Sequence, residues 1–323
     1  MLSAASGDAK QAASLGGGTL RSFFGSHGFG GAALERRLGN HLFVAATING
    51  KHTALFVDTG APMTLIDRNS AGTLGLSVQS TNVSYGGVFG KRWEHFGLSK
   101  LRSIAMGNCT LTNVPVALAD ESDMNHYSSL PHIDGLFGAR EMLKFGMVID
   151  CARQMIYISP TGPNAATSQQ LSAFLTGRGF TRIPLRLTPN HHFDVPAAIN
   201  GHATRLIVDT GSGTTLLGKE SAVQCGVVPG TLVAKDRPVR LVSQTSDGRR
   251  VTISSGTAKE LAIGDFKIPN AEMEMAPIDS AMLQSKISGE ANAGLLGEEY
   301  LSFNFAVIDM GGMSLYLRHA DSR

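Results

Sequence analysis

The sequence predicts an all-β protein made of two tandem lobes related by pseudo-twofold symmetry, with a cleft between them. Three observations predict it. Residues 41–60 and 192–211 are identical at 12 of 20 positions, at a constant offset of 151, and both run through Ile-Asn-Gly into Asp-Thr-Gly. Downstream, Gly135-Leu136-Phe137-Gly138 returns as Gly294-Leu295-Leu296-Gly297, at an offset of 159. Each is followed by Val-Ile-Asp (Val148, Ile149, Asp150; Val307, Ile308, Asp309) and then by a strand bearing Tyr157 or Tyr316. The segments around these marks are short, apolar or β-branched, and separated by glycine-rich turns, the pattern of strands rather than helices. Two matched blocks in the same order make the chain a tandem duplication.

Each element follows from local chemistry. Residues 1–30 are rich in Gly, Ala and Ser and read as a mobile tail. The first lobe then occupies residues 31–160. Within it, Phe43–Ile48 and Ala54–Val57 are strand-like and joined by Asn49-Gly50, a strong hairpin signal. Val114–Leu118 adds another strand. Residues 161–180 form a linker, where Leu171, Phe174 and Leu175 at helical spacing precede Gly177, a helix stop. Residues 181–323 form the second lobe, in which Leu206–Val208 repeats the hairpin and Ile263–Met275 reads as a strand segment.

Composition excludes several classes of function. Apolar residues are 42% and charged residues 17%, ordinary for a globular chain. A formal charge of +2, scattered as pairs such as Arg36-Arg37 and Arg249-Arg250, gives no surface for nucleic acid. No run of about 18 apolar residues exists to span a bilayer. Three cysteines (Cys109, Cys151, Cys225) lack Cys-x-x-Cys spacing, which argues against zinc and for buried free thiols. Gly213–Lys219 approaches a phosphate-loop pattern, but Glu220 stands where Ser or Thr is needed. His191-His192 suggests a metal, yet His192 aligns with His41 at the edge of the repeat, which favours a structural or surface role. No metal or cofactor is expected. The N-terminus lacks the basic start and apolar core of a signal peptide. As it stands the chain reads as soluble and cytoplasmic, or as periplasmic or secreted if a leader has been lost.

The two Asp-Thr-Gly turns carry the chemistry. An Asp ending an apolar strand is costly unless its carboxylate is used or paired. A pseudo-twofold pairing of the lobes would bring Asp58 and Asp209 face to face. Two carboxylates sharing one site cannot both ionise easily, so the pair keeps one proton over a broad pH range. That supplies a general base and a general acid together. Gly60 and Gly211 allow close approach and donate N–H groups. Thr59 and Thr210 offer hydroxyls that bond across the interface and hold the turns in register.

At this point the sequence resembles the pepsin and retropepsin superfamily of aspartic proteases. Asp58-Thr59-Gly60-Ala61 leads to Leu136-Phe137-Gly138, and Asp209-Thr210-Gly211-Ser212 leads to Leu295-Leu296-Gly297. The resemblance spans nearly everything from about residue 32 onward. It is nearer to bacterial retropepsin-like members than to pepsin, since each half is short and the pepsin disulfides are missing. It implies psi loops at the lobe interface, an active site in the cleft, an extended peptide or protein as substrate, and an aspartic endopeptidase activity without metal or cofactor. Because both halves lie in one chain, a monomer is expected. In the family a hydroxyl after the triplet bonds the neighbouring carboxylate, so Ser212 implies that Asp209 is the more acidic member. The flap of the family corresponds to Tyr85-Gly86-Gly87-Val88-Phe89-Gly90, which lies 27 residues after Asp58, with Tyr85 or Phe89 covering substrate. Trp93 follows on the return strand. The second half offers the polar Thr245-Ser246-Asp247-Gly248 at the equivalent place. The competing reading is a catalytically silent peptide-binding or inhibitor-like protein that retains the fold, and a glycosidase is disfavoured by the short carboxylate separation expected.

Overall fold

The computed structural model describes residues 18–81, 85–86, 92–93, 96–120, 132–229, 232–234, 237–239, 241–244, 250–278, 283 and 292–320. It is mostly β-sheet, with short helices at the joins.

Each lobe is founded on the hairpin that the Asn-Gly dipeptide announces. His41–Ile48 and Lys51–Val57 pair antiparallel with Ile48 opposite Lys51, leaving Asn49-Gly50 as the two-residue loop. Both loop residues have positive φ, 50° and 86°, as a type I′ turn requires. Phe193–Ile199 and His202–Val208 repeat the construction, with Asn200 at 52° and Gly201 at 83°. Asn rather than Asp suits this corner because it must donate and accept. Asn49 Nδ2 donates to the Leu74 carbonyl at 3.0 Å while its Oδ1 accepts from Ser103 N–H at 3.1 Å. Asn200 does the same with the Cys225 carbonyl at 2.9 Å and Lys259 N–H at 2.7 Å.

A short strand then threads between two others. Gly135–Phe137 runs parallel to Lys51–Val57, with Leu136 opposite Phe56, and antiparallel to Leu65–Asp67, with Leu136 opposite Leu65. Asn292–Leu296 is inserted identically between His202–Val208 and Leu216–Gly218. This psi arrangement pins the end of the hairpin: Asp58 N–H donates to the Phe137 carbonyl and Asp209 N–H to the Leu296 carbonyl, each at 3.0 Å. In the first lobe Gly97–Met106 pairs back onto His41–Ile48, and in the second Arg250–Ile263 pairs back onto Phe193–Ile199. Each sheet therefore closes on itself, which protects its edges.

The lobes share a sheet across the base. Val148–Asp150 and Val307–Asp309 pair antiparallel with Ile149 opposite Ile308. These two residues are repeat equivalents, so the pseudo-twofold axis passes between them. Met155–Ile158 and then Gly30–Arg37 extend the sheet on one side, and Ser314–Leu317 and Thr181–Pro184 on the other. One face of it is lined by Val148, Tyr157, Val307 and Tyr316, and two helices cover that face. One is Ala165–Thr176, capped by Asn164, whose side chain accepts from Thr167 N–H, and burying Leu171 and Leu175. The other is Leu20–Ser26, which buries Leu20 and Phe24.

Two expectations are corrected here and a third is narrowed. Residues 20–26 belong to a helix, not to a mobile tail. Thr19 and Ser22 form a capping box, and Phe24 stacks on Tyr157 with centroids 4.4 Å apart. Burying one such aromatic contributes about 1.5–3 kcal/mol, enough to fix a helix that composition alone hides. Ile263–Met275 is not one strand: Gly264, at φ 55°, turns the chain between Arg250–Ile263 and Phe266–Ala276. Of the two roles open to His192, structural or surface, its burial fits the structural one. Cys109, Cys151 and Cys225 are buried and free.

Candidate active site

The two psi strands deliver both Asp-Thr-Gly turns to the pseudo-twofold axis. Thr59 N–H donates to Thr210 Oγ1 at 3.1 Å, and Thr210 N–H donates to Thr59 Oγ1 at 3.0 Å. Each hydroxyl in turn donates to a carbonyl of the opposite lobe, Thr59 to Val208 at 2.7 Å and Thr210 to Val57 at 2.8 Å. Both side chains are fully buried. Four reciprocal bonds thus clamp the turns face to face.

The clamp places each glycine against the opposite carboxylate. A Cβ on Gly60 would fall inside the Asp209 carboxylate, and one on Gly211 inside that of Asp58. Glycine is required here for close approach, not for unusual backbone angles. Gly60 and Ala61 N–H donate to Asp58 Oδ1 at 2.8 and 3.0 Å, and Gly211 N–H donates to Asp209 Oδ1 at 2.8 Å. The carboxylates hydrogen-bond each other. Burial raises the pKa of both. For Asp209 the charge of Asp58 adds to burial and holds the carboxyl well above the usual range. For Asp58 burial is opposed by the hydrogen bond from Asp209 and by the two backbone N–H groups.

This reverses the expected asymmetry. The Ser212 hydroxyl donates to the Thr214 carbonyl at 2.7 Å, a bond local to its own turn. The hydroxyl that was to favour an ionised Asp209 is thereby committed elsewhere. Backbone N–H groups lower both members, Gly60 and Ala61 for Asp58 and Gly211 and Ser212 for Asp209; the charge of Asp58 raises Asp209 further, which favours Asp58 as the charged member and Asp209 as the protonated one.

Of the residues expected to form a flap, Tyr85-Gly86 forms a strand paired antiparallel with Arg92-Trp93, Tyr85 opposite Trp93. Gly87 and Phe89 lie outside the described residues. In the second lobe Leu241–Gln244 pairs with the start of Arg250–Ile263, Gln244 opposite Arg250, and the Thr245–Gly248 tip lies outside the described residues.

Several site residues escaped the sequence reading. Thr64 and Thr215 are fully buried, and their hydroxyls accept Gly138 N–H at 3.1 Å and Gly297 N–H at 3.0 Å, tying each triplet's strand to the downstream glycine. Their shared offset of 151 was the available signal. Behind the turns, Arg36 reaches across the lobes: Nη2 donates to the Cys151 carbonyl at 2.7 Å and to Glu298 Oε1 at 2.9 Å. Nothing in the spacing of Arg36 and Glu298 foretold that pair.

Glu299 lies beside the second turn and accepts the Thr215 N–H. Burial pushes its pKa up to about 7, against the bonds from Thr215. A carboxyl raised in the folded state favours folding while protonated and loses that advantage as pH rises from about 4.5 to 7. Glu299→Gln, which copies the neutral form, is therefore expected to match wild type near pH 4. At pH 8 it should be more stable by about 2 kcal/mol after allowance for solvent screening. Melting temperatures across that range check it, and a gap that does not grow with pH would contradict it.

Among the described residues no cluster of His, Cys, Asp and Glu could hold a metal ion, and no helix is long and apolar enough to cross a membrane.

A family model described as aspartyl protease matches residues 44–140 and 195–300, both copies of the repeat. Solved structures that match the chain include a retropepsin-like aspartic protease from Rickettsia conorii, 20% identical, covering 40% of this chain and 90% of that one at a TM-score of 0.30. Basic 7S globulin from soybean is 13% identical, with 90% of this chain and 94% of that one covered and a TM-score of 0.48. Conglutin gamma from lupine seeds is 11% identical, with 90% and 95% covered and a TM-score of 0.49. No curated protein sequence matches the chain.

Proposed function

The chain belongs to the aspartyl protease family, and from that premise we propose that it is an endopeptidase whose catalytic pair is Asp58 and Asp209. The observation that carries this reading is the reciprocal threonine clamp, which sets two buried carboxylates in hydrogen-bonding contact across the lobes. In this mechanism Asp58, ionised, takes a proton from a water between the carboxylates, and the water oxygen attacks the peptide carbonyl carbon. Asp209, protonated, donates to the carbonyl oxygen and so stabilises the developing charge. The proton taken by Asp58 then passes to the leaving nitrogen, one hydroxyl of the tetrahedral intermediate returns a proton to Asp209 as the C=O bond reforms, and the C–N bond breaks. The chain supplies both halves of the site, so it acts as a monomer on extended peptide segments lying in the cleft. Gly60 and Gly211, which let the carboxylates approach, and Ser212, through its turn, support the pair.

Activity should follow a bell in pH. Both limbs belong to the pair rather than to either residue. Because burial raises both groups, the alkaline limb is expected above the range of ordinary carboxylates, leaving turnover in weakly acid solution. Initial rates on an unfolded protein substrate from pH 3 to 8 test this, and a rate rising monotonically to pH 8 would contradict it. The same measurement separates the reading from a silent peptide binder, which would retain peptide without cleaving it at any pH.

A further inference from the structure

Arg36 leaves the first lobe from the strand Gly30–Arg37 and ends behind the second turn. Its Nη2 donates to the Cys151 carbonyl at 2.7 Å and to Glu298 Oε1 at 2.9 Å. Ser302 Oγ, 2.5 Å from the same nitrogen, donates to Glu298 Oε1 at 2.6 Å. Arg36 Nη1 donates to Asn40 Oδ1 at 2.8 Å and to the Asn40 carbonyl at 3.2 Å, which fixes the short turn Leu38–Asn40. Both arms of the guanidinium lead to the segment that follows Asp209-Thr210-Gly211. Glu298 N–H donates to the Ser212 carbonyl at 2.8 Å, and Asn40 Nδ2 donates to the Gly213 carbonyl at 3.3 Å. The Gly39 carbonyl lies so close to Gly213 that a Cβ there would meet it at 1.9 Å. Two consecutive peptide planes of the second turn are thus tied to the first lobe, one directly by Asn40 and one through Glu298.

The first turn lacks the residues for such a tie. Strand register makes Leu187 the counterpart of Arg36, since Arg36 stands opposite Leu42 and Leu187 opposite Phe193, at the offset of 151. Ala139 and Leu143 stand where Glu298 and Ser302 do, at the offset of 159. The N–H bond is common to both copies, with Ala139 N–H donating to the Ala61 carbonyl at 2.8 Å. What differs is the far side, where Ala139, Leu143 and Leu187 belong to or pack against the apolar core. The fold therefore closes this corner without charge. The Glu298 side chain is wholly covered and that of Arg36 is 23% exposed, and an ion pair so buried is a weak source of stability, because desolvation offsets its Coulomb gain. What a forked guanidinium adds is direction.

We infer that Arg36 and Glu298 are positioning residues that fix the Asp209 turn against Asp58 from the first lobe. The inference rests on the protease reading and names two further residues for it. Gly211 N–H aims Asp209 Oδ1 at 2.8 Å, and Ser212 and Gly213 are the next two residues along. With their carbonyls held, the peptide that carries that N–H keeps its orientation while the proton moves. Arginine is needed because lysine, a point charge, cannot hold Asn40 and Glu298 together. The threonine clamp serves both turns alike; this tie serves one.

The test copies the first copy's solution into the second, as Arg36→Leu together with Glu298→Ala. Removing both charges leaves no unpaired ion, so this double variant is expected to fold. Its kcat should fall about tenfold while KM changes less than about twofold. Amide exchange reads the same effect without turnover. Protection of Gly211 N–H should fall about tenfold, while that of Gly60 N–H, its counterpart on Asp58 at 2.8 Å, should hold within about twofold. Arg36→Lys, which retains the charge, should show a smaller loss of the same kind, and it decides the matter if the double variant does not fold. A folded double variant with kcat within about twofold of wild type would overturn the inference, as would equal loss of protection at Gly60 and Gly211. A wild type that does not cleave would sink the protease reading, and the exchange comparison would still decide this inference.

Discussion

Asp58→Asn and Asp209→Asn are each expected to lower kcat for peptide hydrolysis by at least about 10^4-fold while the protein remains folded. Asparagine matches aspartate in shape, and each side-chain oxygen can still accept the backbone N–H bonds at 2.8 to 3.0 Å. What disappears is proton transfer. With Asn at 58 nothing takes the proton from water; with Asn at 209 nothing gives one to the carbonyl oxygen. The two losses act on one step, so the double variant should be no slower than either single variant. Stability should move the other way. Burial disfavours the charged form of each carboxyl, so a neutral amide relieves the folded state as pH rises. Melting curves at pH 7 should show variants at least as stable as wild type. A variant that unfolds would mean that the carboxylates hold the lobes together, contrary to the clamp described above.

The second large effect belongs to that clamp. Thr59→Val and Thr210→Val preserve shape and leave no cavity, so their effect isolates the hydrogen bonds. Each removes one hydroxyl that donates to a carbonyl at 2.7 or 2.8 Å and accepts an N–H at 3.0 or 3.1 Å. The groups left behind are buried and meet no water, so each substitution should cost about 2–5 kcal/mol. The pair is reciprocal, and the double variant should lose less than the sum of the singles. Thr→Ser at either site retains the hydroxyl and should recover most of the loss. Denaturant unfolding measures all of these values, and a loss below about 0.5 kcal/mol in either valine variant would show that the turns are held by something else.

How much of this was legible depended on range. Asn49-Gly50 and Asn200-Gly201 spelled their hairpins because a type I′ turn is decided by two residues with positive φ. The Asp-Thr-Gly pair was legible only through the repeat, since neither triplet alone says where the other lies. The helix Leu20–Ser26 was hidden because it follows a segment rich in Gly, Ala and Ser, and what fixes it, Leu20 and Phe24 buried with Phe23 packed beside them, is tertiary contact. The acidity order was misread for a related reason. Sequence shows that a hydroxyl stands at Ser212, but not that it turns to Thr214. The symmetry of the site thus comes from the copies and their reciprocal clamp, and part of its asymmetry from where a single hydroxyl turns within one copy.

The most direct test is digestion of a proteome-derived peptide library by wild type and Asp209→Asn side by side, with the new peptide ends counted. New ends from wild type at weakly acid pH, absent from the variant, are the expected result. Equal cleavage by both proteins, or none by wild type between pH 3 and 8, would contradict a shared carboxylate pair acting on peptide bonds.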